Sequence, residues 1–589
     1  MLVVGALVVL GVLWTGWRTY QAYSHLADAR ATVAEIDATI RADGLDGLAA
    51  VTDLTDTLAR QTAAAHAAVN DPVFRLAAHT PWIGDNLGAV GGVAASMDGI
   101  AQTATHAIPE LAPLADHASW ASGGRFDLAV LKPAAGAIDR LDDAVQRAVA
   151  TVTSFDRGSL VAPVNTALNQ YGEQLAKLSE MTTVGADAAN IVMPMLGADG
   201  PRTYLVVFQN LAEARPTGGI FGFYATLHVQ DGTLTLGAAG SSDRDLGPFD
   251  EPVVDLPAGY DDLYWRGMAQ WPQNVNLTPD FPTAAKTFAT MYQRHTGTSV
   301  NGVIAIDPVV VSVLMRGVAP IDIGEGLTLS SDTAVHTLLA GIYDAFPGGA
   351  RLSGRDALMT KAVGTAFGAV LGNVGQLEPK VLIDDLTALT DERRLLIWSA
   401  DAAEQGRILG TALAGRQEPD TADKPTVGVF LVDSNGGKMS YYLRAKADLG
   451  TAACSPGGRA TAPLTITIED TAPPSGLPPY VTAGAGGSSD YVIHTSVILT
   501  GPSDSDVADV GDILVDGVRV PKRIGMDHGR PTAVFSIATT SRQTARISTT
   551  ISFSAEAQSD DGGAVTPSLV TSPMAFPFPT TTKAFTECK

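Results

Sequence analysis

YLVVFQNLAEARPTGGIFGFY, residues Tyr204 to Tyr224, is the stretch that divides the chain. Its compact apolar run Tyr204–Phe208 reads as a strand, and IFGFYATLHV, residues 220–229, reads as another. NLAEARPTGG between them reads as a loop. Gln230-Asp231-Gly232 then turns into TLTLGAAG, a third strand, because Asp-Gly tolerates the backbone that hairpin turns require. Farther on, NGVIAIDP is a short apolar run ending in Asp307-Pro308, followed by helix-like VVVSVLMRG. Helical patterns recur in DTAVHTLLAGIY, RDALMTKAVGTAFGAVL and VLIDDLTALTDERRLLIWSA, the last with Leu382, Leu386 and Leu389 at helical spacing. Strands interleaved with helices predict a mixed α/β sheet core over residues 200–420.

Upstream the chain is Ala-rich, and apolar stripes fall at helical spacing. They are Leu26, Val33, Ile36, Ile40; Leu48, Val51, Leu54, Leu58; Ile138, Leu141, Val145, Val149; and Leu168, Tyr171, Leu175, Leu178. Asp43-Gly44 predicts a helix end, and HTPWIGDNLGAV, residues 79–90, a corner where Trp82 packs. Residues 24–195 are therefore expected to form a helical bundle stalk. Before it, Met1 to Trp17 carries no charge and Arg18 closes the run. Seventeen residues span about 26 Å as a helix, slightly short of a ~30 Å hydrocarbon core. With Trp14, Trp17 and Tyr20 as interfacial aromatics, residues 1–23 are expected to be a transmembrane anchor, which makes the membrane a partner. No Lys or Arg precedes Arg18, so a cleaved signal peptide fits less well.

Downstream, LTITIED alternates, and YVIHTSVILTGP, GDILVDGVRVPK, PTAVFSIATT and ARISTTISFSA follow at short intervals. This pattern predicts an immunoglobulin-like β-sandwich over residues 425–589. The fold class is thus multidomain α+β: transmembrane helix, helical stalk, α/β core and sandwich. Cys454 and Cys588, the two cysteines, both belong to the sandwich, where an oxidising compartment would pair them as a disulfide; buried free thiols are the alternative. That pairing agrees with a chain whose bulk is extracytoplasmic.

The 589 residues hold 39 Lys+Arg and 62 Asp+Glu, a formal charge of −23. Such a balance excludes sequence-independent nucleic-acid binding, which needs positive surface to displace counterions. No GxSxG, HExxH, GxxxxGK[ST] or GxGxxG occurs, which removes the common hydrolase, zincin, P-loop and dinucleotide-binding readings. The polar residues of the core carry what chemistry there is. Asn210, Glu213 and Arg215 follow a strand beside Gly218-Gly219. An arginine fork suits phosphate or carboxylate, and glycines let backbone amides approach an anion. Glu213–Arg215 as a local ion pair remains the alternative. SSDRDLGPFD crowds Asp243, Arg244, Asp245 and Asp250, a set able to hold Mg²⁺ while Arg244 meets a phosphate, or else a solvated turn. Asn276 and Asp280 offer further ligand groups, or turn and helix-cap roles. Trp265 and Trp271 flank this region and could stack sugars.

YLVVFQNLAEARPTGGIFGFY, the SSDRD segment, NVNLTPDFPTAA and VNGVIAIDPVVVSVLMRGVAPIDI together resemble the domain of unknown function family 4012, over roughly residues 200–350. That resemblance implies an envelope protein of actinobacteria or other bacteria. More distantly the region is similar to the LytR–CpsA–Psr phosphotransferases, which move undecaprenyl-pyrophosphate-linked glycopolymers onto peptidoglycan. SSDRD resembles their strand-end PRD loop, and NGVIAIDPVVVSVLMRGVAPIDI their strand–helix–GGV segment, with Asn301 in place of the usual Asp. Of their late arginine cluster the nearest counterparts are Arg351 and Arg355; Arg393 and Arg394 read as a helix face. The resemblance implies that Arg215, Arg244 and a Mg²⁺ on Asp243 and Asp245 would neutralise charge while Glu213 accepts a sugar hydroxyl's proton. Asn210, Gly218, Gly219, Asn276, Asp280, Arg351 and Arg355 would bind substrate. The alternative is a non-catalytic scaffold component of the envelope.

Overall fold

The computed structural model describes residues 2–81, 83–116, 120–347, 352–373, 379–417, 420–421, 424–454, 459–482, 491–503, 510–553 and 564–586. Trp82, Arg351 and Cys588 lie outside the described residues. The chain forms two units. One comprises Met1–Pro201, Val229–Thr233 and Val374–Ile383; the other comprises Arg202–His228, Leu234–Asn373 and Asp384–Lys589.

In the first unit the helices are α1 (Leu2–Asp43), α2 (Leu48–Val69), α3 (Pro72–Ala77), α4 (Gly84–Leu111), α5 (Leu128–Thr153) and α6 (Ala162–Met195). Each long helix packs on the long helix before it. Alanines at the interfaces (Ala22, Ala29, Ala65, Ala94, Ala101, Ala148) let the axes approach closely. Helix α1 does end at Asp43, as the Asp-Gly signal indicates.

The transmembrane anchor expected over residues 1–23 is overturned. Among the described residues no helix is long and apolar enough to cross a membrane. The uncharged run is the first part of a 42-residue helix that continues unbroken through Arg18, Asp28, Arg30 and Glu35. Its C-terminal end is tied sideways to the bundle: Trp14 Nε1 donates to Asp71 at 2.9 Å, and Arg18 reaches the same carboxylate at 3.4 Å. Asp71 also caps α3 through the amides of Val73 and Phe74, so these polar groups are satisfied by protein.

The second unit is built on a sheet whose first strand, β1 (Arg202–Arg215), runs through the segment expected to be a loop. Asn210, Glu213 and Arg215 are therefore strand residues. The strand turns at Pro216-Thr217 into β2 (Gly218–Gln230), and β2 into β3 (Thr233–Ser241). Gly219 is required there, since a Cβ would sit 2.1 Å from the Asn210 backbone. Next come α7 (Phe281–Thr296), β4 (Gly302–Ile306), α8 (Pro308–Leu314), α9 (Leu352–Asn373), α10 (Pro379–Asp391) and β5 (Leu396–Ser399). The core strand order is β3-β2-β1-β4-β5. Strand β4 lies parallel to β1, pairing Tyr204 with Gly302, and β5 lies antiparallel to β4. LLIWSA, expected to be helical, is thus mostly the strand β5. The chain leaves α10 before Arg393, whose φ of +58° breaks any helix. Arg393 and Arg394 are buried rather than on a helix face, and Arg394 pairs with Asp307 at 2.8 Å.

One face of this sheet buries Leu205, Val207, Phe221 and Val303 against Phe281, Ala285, Phe288 and Tyr292 of α7. Phe288 meets Phe221 and Tyr224 edge-on, with centroids at 5.5 and 6.0 Å. The opposite face, carrying Val206, Phe208 and Asn210, looks toward α8 and α9.

Two facing sheets complete the unit. One orders β10 (Arg523–Asp527), β11 (Arg530–Thr540), β9 (Val492–Thr500), β6 (Thr426–Asp433) and β13 (Ser568–Thr571). The other centres on β12 (Thr544–Phe553), β8 (Ala460–Asp470), β7 (Leu443–Leu449) and β14 (Thr580–Thr582). Their inner faces share one apolar core, including Val429, Leu431, Val497, Phe535, Leu464, Ile466 and Ile547. The first sheet is also covered outside, where Tyr260, Leu263, Tyr264 and Met268 pack on Phe430, Val432 and Ile498. This two-sided burial is why TVGVFLVD reads as an unbroken apolar run.

Phe288→Ala is expected to destabilise this unit by about 3–5 kcal/mol, the usual cost of emptying a buried aromatic site. Denaturant unfolding measures it, and a loss under about 1 kcal/mol would contradict the packing of α7 on the sheet.

Candidate functional site

An apolar slot lies between the open sheet face and helices α8 and α9. Its walls are Val206 and Phe208 of β1, Ile306 of β4, Val311 and Leu314 of α8, and Met359, Ala362, Val363, Ala366, Phe367 and Val370 of α9. The cavity volume is about 120 Å³. Small residues keep it open: Ala362 and Ala366 face the space where the other sheet face has Phe288. At Gly222 a Cβ would meet nothing nearer than 3.9 Å. From Met359 to Val370 the lane runs about 16 Å at the helical rise per residue.

One end of the slot is polar. Asn210 lines it and donates Nδ2–H to Tyr343 Oη at 2.5 Å. Tyr343 stacks on Tyr480 with centroids 5.7 Å apart. Arg355, one turn before Met359 on α9, lies 4.2 Å over the Tyr480 ring and 5.8 Å over that of Tyr343. Arg355 also meets Asp356, which in turn is bonded by Arg244. Arg244 belongs to a helical turn, Ser242–Asp245, where an irregular loop was expected, and its side chain is half exposed.

Deeper in, Glu213 accepts from Arg215 at 2.9 Å and from Lys438, so both of its oxygens are held. Glu213 and Arg215 are 5% and 4% exposed, and Lys438 is equally buried. Arg215 further donates to the Asp433 carbonyl and to Asn274. Burial opposes charge on Glu213, but Lys438 and Arg215 outweigh it and hold the carboxyl below its usual range. Asp433 moves the other way. Burial and the nearby Glu213 charge push its carboxyl up to about 6, although Ser440 and two backbone amides donate to it.

The structure therefore links Asn210, Glu213, Arg215, Arg244 and Arg355 through Tyr343, Tyr480, Asp356 and Lys438. Lys438 carries no sequence signal, because it directly follows Ser434-Asn435-Gly436-Gly437, which reads as a hairpin turn between strands. Gly218 and Gly219 serve the β1–β2 turn. Asn276 ties that turn down, donating to Thr217 Oγ1 and Gly219 O. Asp243 and Asp245 both take hydrogen bonds from Ser241, and Asp245 also approaches Arg244 at 3.5 Å. Among the described residues no group of three or more His, Cys, Asp or Glu side chains is placed to hold a metal ion. Two carboxylates can still serve Mg²⁺ when phosphate and water complete its shell. Cys454 is disulfide-bonded. The chain holds one other cysteine, Cys588, outside the described residues.

Asp280 lies elsewhere, capping α7 through the Thr283 amide at 3.0 Å and facing His528 Nε2 at 3.8 Å. His528 Nδ1 bonds Asp527, a buried carboxylate that also accepts from Tyr260 and Tyr264.

The site thus belongs to an α/β unit with a one-sided apolar slot, beside which Tyr343 and Tyr480 meet the ion-paired Arg355, Asp356 and Arg244. Residues 199–343 match the model of a family described as a protein of unknown function (DUF4012). That stretch contains β1 to β4, the Ser242–Asp245 turn, α8 and Tyr343. No curated protein matches the chain. No solved structure matches it either.

Two outcomes test these environments. Lys438→Met leaves Glu213 buried with one partner fewer and is expected to cost about 3–5 kcal/mol in denaturant unfolding. The double variant Glu213→Leu/Lys438→Met strands the buried Arg215 guanidinium in turn and is expected to recover none of that loss, whereas a loss under about 1 kcal/mol for Lys438→Met alone would contradict the pairing. At His528 the hydrogen bond that the ring donates to Asp527 raises the imidazole's pKa, Asp280 adds to it, and burial and Arg416 oppose it. A raised folded value means the stabilisation is full below the ordinary ~6.5 and is lost as pH rises through the folded value. Asparagine tolerates the positive φ at this position. The stability gap between wild type and His528→Asn should therefore be widest below the ordinary imidazole value of ~6.5 and narrow as the pH rises above it. A gap independent of pH in urea unfolding would contradict this.

Proposed function

We propose that the second unit binds an amphiphile, its apolar chain in the slot and its anionic head against Arg355 and Arg244. The ligand class this reading favours is a lipid-pyrophosphate-linked glycopolymer of the cell envelope, in line with the resemblance to LytR–CpsA–Psr phosphotransferases. The observation that carries the reading is the direction of α9. Arg355 stands one turn before Met359, and from there about three turns of small or apolar side chains lead along the slot to Val370. A slot built for packing alone would not be kept open by Gly222, Ala362 and Ala366. The disulfide-bonded Cys454 supports an oxidising, extracytoplasmic setting.

In a transfer reaction a sugar hydroxyl attacks phosphorus and gives up its proton to water, and the bond to the departing lipid phosphate breaks with its electron pair on the phosphate. Arg244 and Arg355 would neutralise that charge. Mg²⁺ on Asp243 and Asp245 would supply further charge neutralisation when bound. One observation favours a second, non-catalytic reading, in which the unit holds such a ligand as part of an envelope assembly. Glu213, the candidate base, has both oxygens engaged by Lys438 and Arg215.

The test uses undecaprenyl pyrophosphate and undecaprenol in detergent, followed by native mass spectrometry. Wild type is expected to bind the pyrophosphate more tightly. Arg355→Ala should remove about tenfold of that preference while leaving undecaprenol unaffected. Ala362→Trp or Gly222→Leu should abolish binding of both. Folded wild type that binds neither lipid ends the proposal. Adding an acceptor glycan and Mg²⁺ separates transfer from binding alone.

A further inference from the structure

Beyond the slot, the covering segment Phe249–Asn274 presents two tryptophans to solvent. Trp265 is 47% exposed and Trp271 37% exposed, in a unit whose other large aromatic side chains are mostly buried. Their ring centroids are 6.1 Å apart and the planes are tilted by 48°, so the rings form a shallow V. Neither ring is loosely attached. They flank and follow a 3₁₀ turn, Arg266–Ala269, with a second one, Pro272–Asn274, directly after. Met268, Ala269, Pro272 and Val275 of these turns are buried and anchor the segment. The Trp271 amide donates to Gly267 O at 2.9 Å. Gly267 is needed because a Cβ there would lie 2.2 Å from the Trp265 ring, which rests against the backbone.

We infer that Trp265 and Trp271 form a binding platform for a neutral saccharide. Pyranose rings offer an apolar C–H face to an aromatic ring and hydroxyls at their edge. The covering segment also carries acceptors for such hydroxyls. Asp250, Glu251, Asp255, Asp261 and Asp262 are all exposed on the same covering segment. This many carboxylates disfavours an anionic glycan and leaves a neutral one. A protein-docking patch would carry an apolar core wider than two rings. The exposed apolar residues Ile524 and Met526 on β10 alternate with Gly525, which faces Leu263, so they point to the opposite side of that sheet. The Pro272–Asn274 turn packs against the Ser242–Asp245 turn that carries Arg244. The platform stands beside the proposed head-group end of the slot, yet its evidence does not depend on the slot holding a lipid.

The test titrates full-length protein with maltotetraose, cellotetraose, mannotetraose and chitotetraose up to ~10 mM, following tryptophan emission and calorimetric heat. At least one is expected to bind and shift the emission. Trp265→Ala and Trp271→Ala should each weaken it about tenfold or more, and Trp271→Phe should keep most of it. Gly222→Leu, which fills the slot, should leave sugar binding intact, so failure of the lipid reading and of this one are separable. Folded wild type that binds none of the four overturns the inference. Binding that survives both alanine variants overturns it as well, and so does self-association that those variants abolish.

Discussion

The buried contact of Glu213 with Lys438 and Arg215 is the constraint on which the second unit depends. Glu213 and Lys438 are 225 positions apart, on the far end of β1 and at the start of the sandwich. Removing charges from water is expensive, so the cluster tolerates only the arrangement in which both carboxylate oxygens are occupied. That requirement fixes β1 against β6 and the 439–442 turn. It also places Tyr480 over Lys438 at 5.7 Å, and through Tyr480 it positions Arg355. The position of Arg355 beside the slot is thus a consequence of how core and sandwich strands meet within this unit.

The two faces of the core sheet make opposite use of side-chain size. Toward α7, Phe221, Phe281, Phe288 and Tyr292 interlock edge-to-face and leave no room. Toward α9, the glycine and alanines leave a cavity that neighbouring side chains do not fill. Interiors normally pack to high density, and an unfilled apolar face beside charged groups gives up dispersion energy that a bound apolar chain would restore.

Sequence reading located the strands that are short and apolar on both faces, and it missed those masked by neighbouring patterns. NGVIAIDP followed by VVVSVL was legible because Asp307 caps a helix whose first residue is proline. β5 was hidden because LIWS continues the apolar spacing of α10, and only the positive φ of Arg393 ends that helix. The NLAEAR segment looked like a loop because it mixes polar and small residues. It is a strand because its polar side chains find buried partners from distant segments. The uncharged N-terminal run carried a membrane pattern over seventeen residues, but Trp14 and Arg18 at its end engage Asp71 of the bundle instead.

By itself the sequence determined the succession of helical, mixed and all-β regions, because the period of the apolar pattern changes from one to the next. It also set the acidic balance and the positions of Arg215, Arg244 and Arg355. Tertiary structure alone decided which of these groups meet. Lys438, Tyr480 and Asp356 join them from remote parts of the chain, while Asp280, four residues after Asn276, turns to another partner in His528. Ion pairs and cavities depend on distances across the fold, and no spacing along the chain encodes those distances.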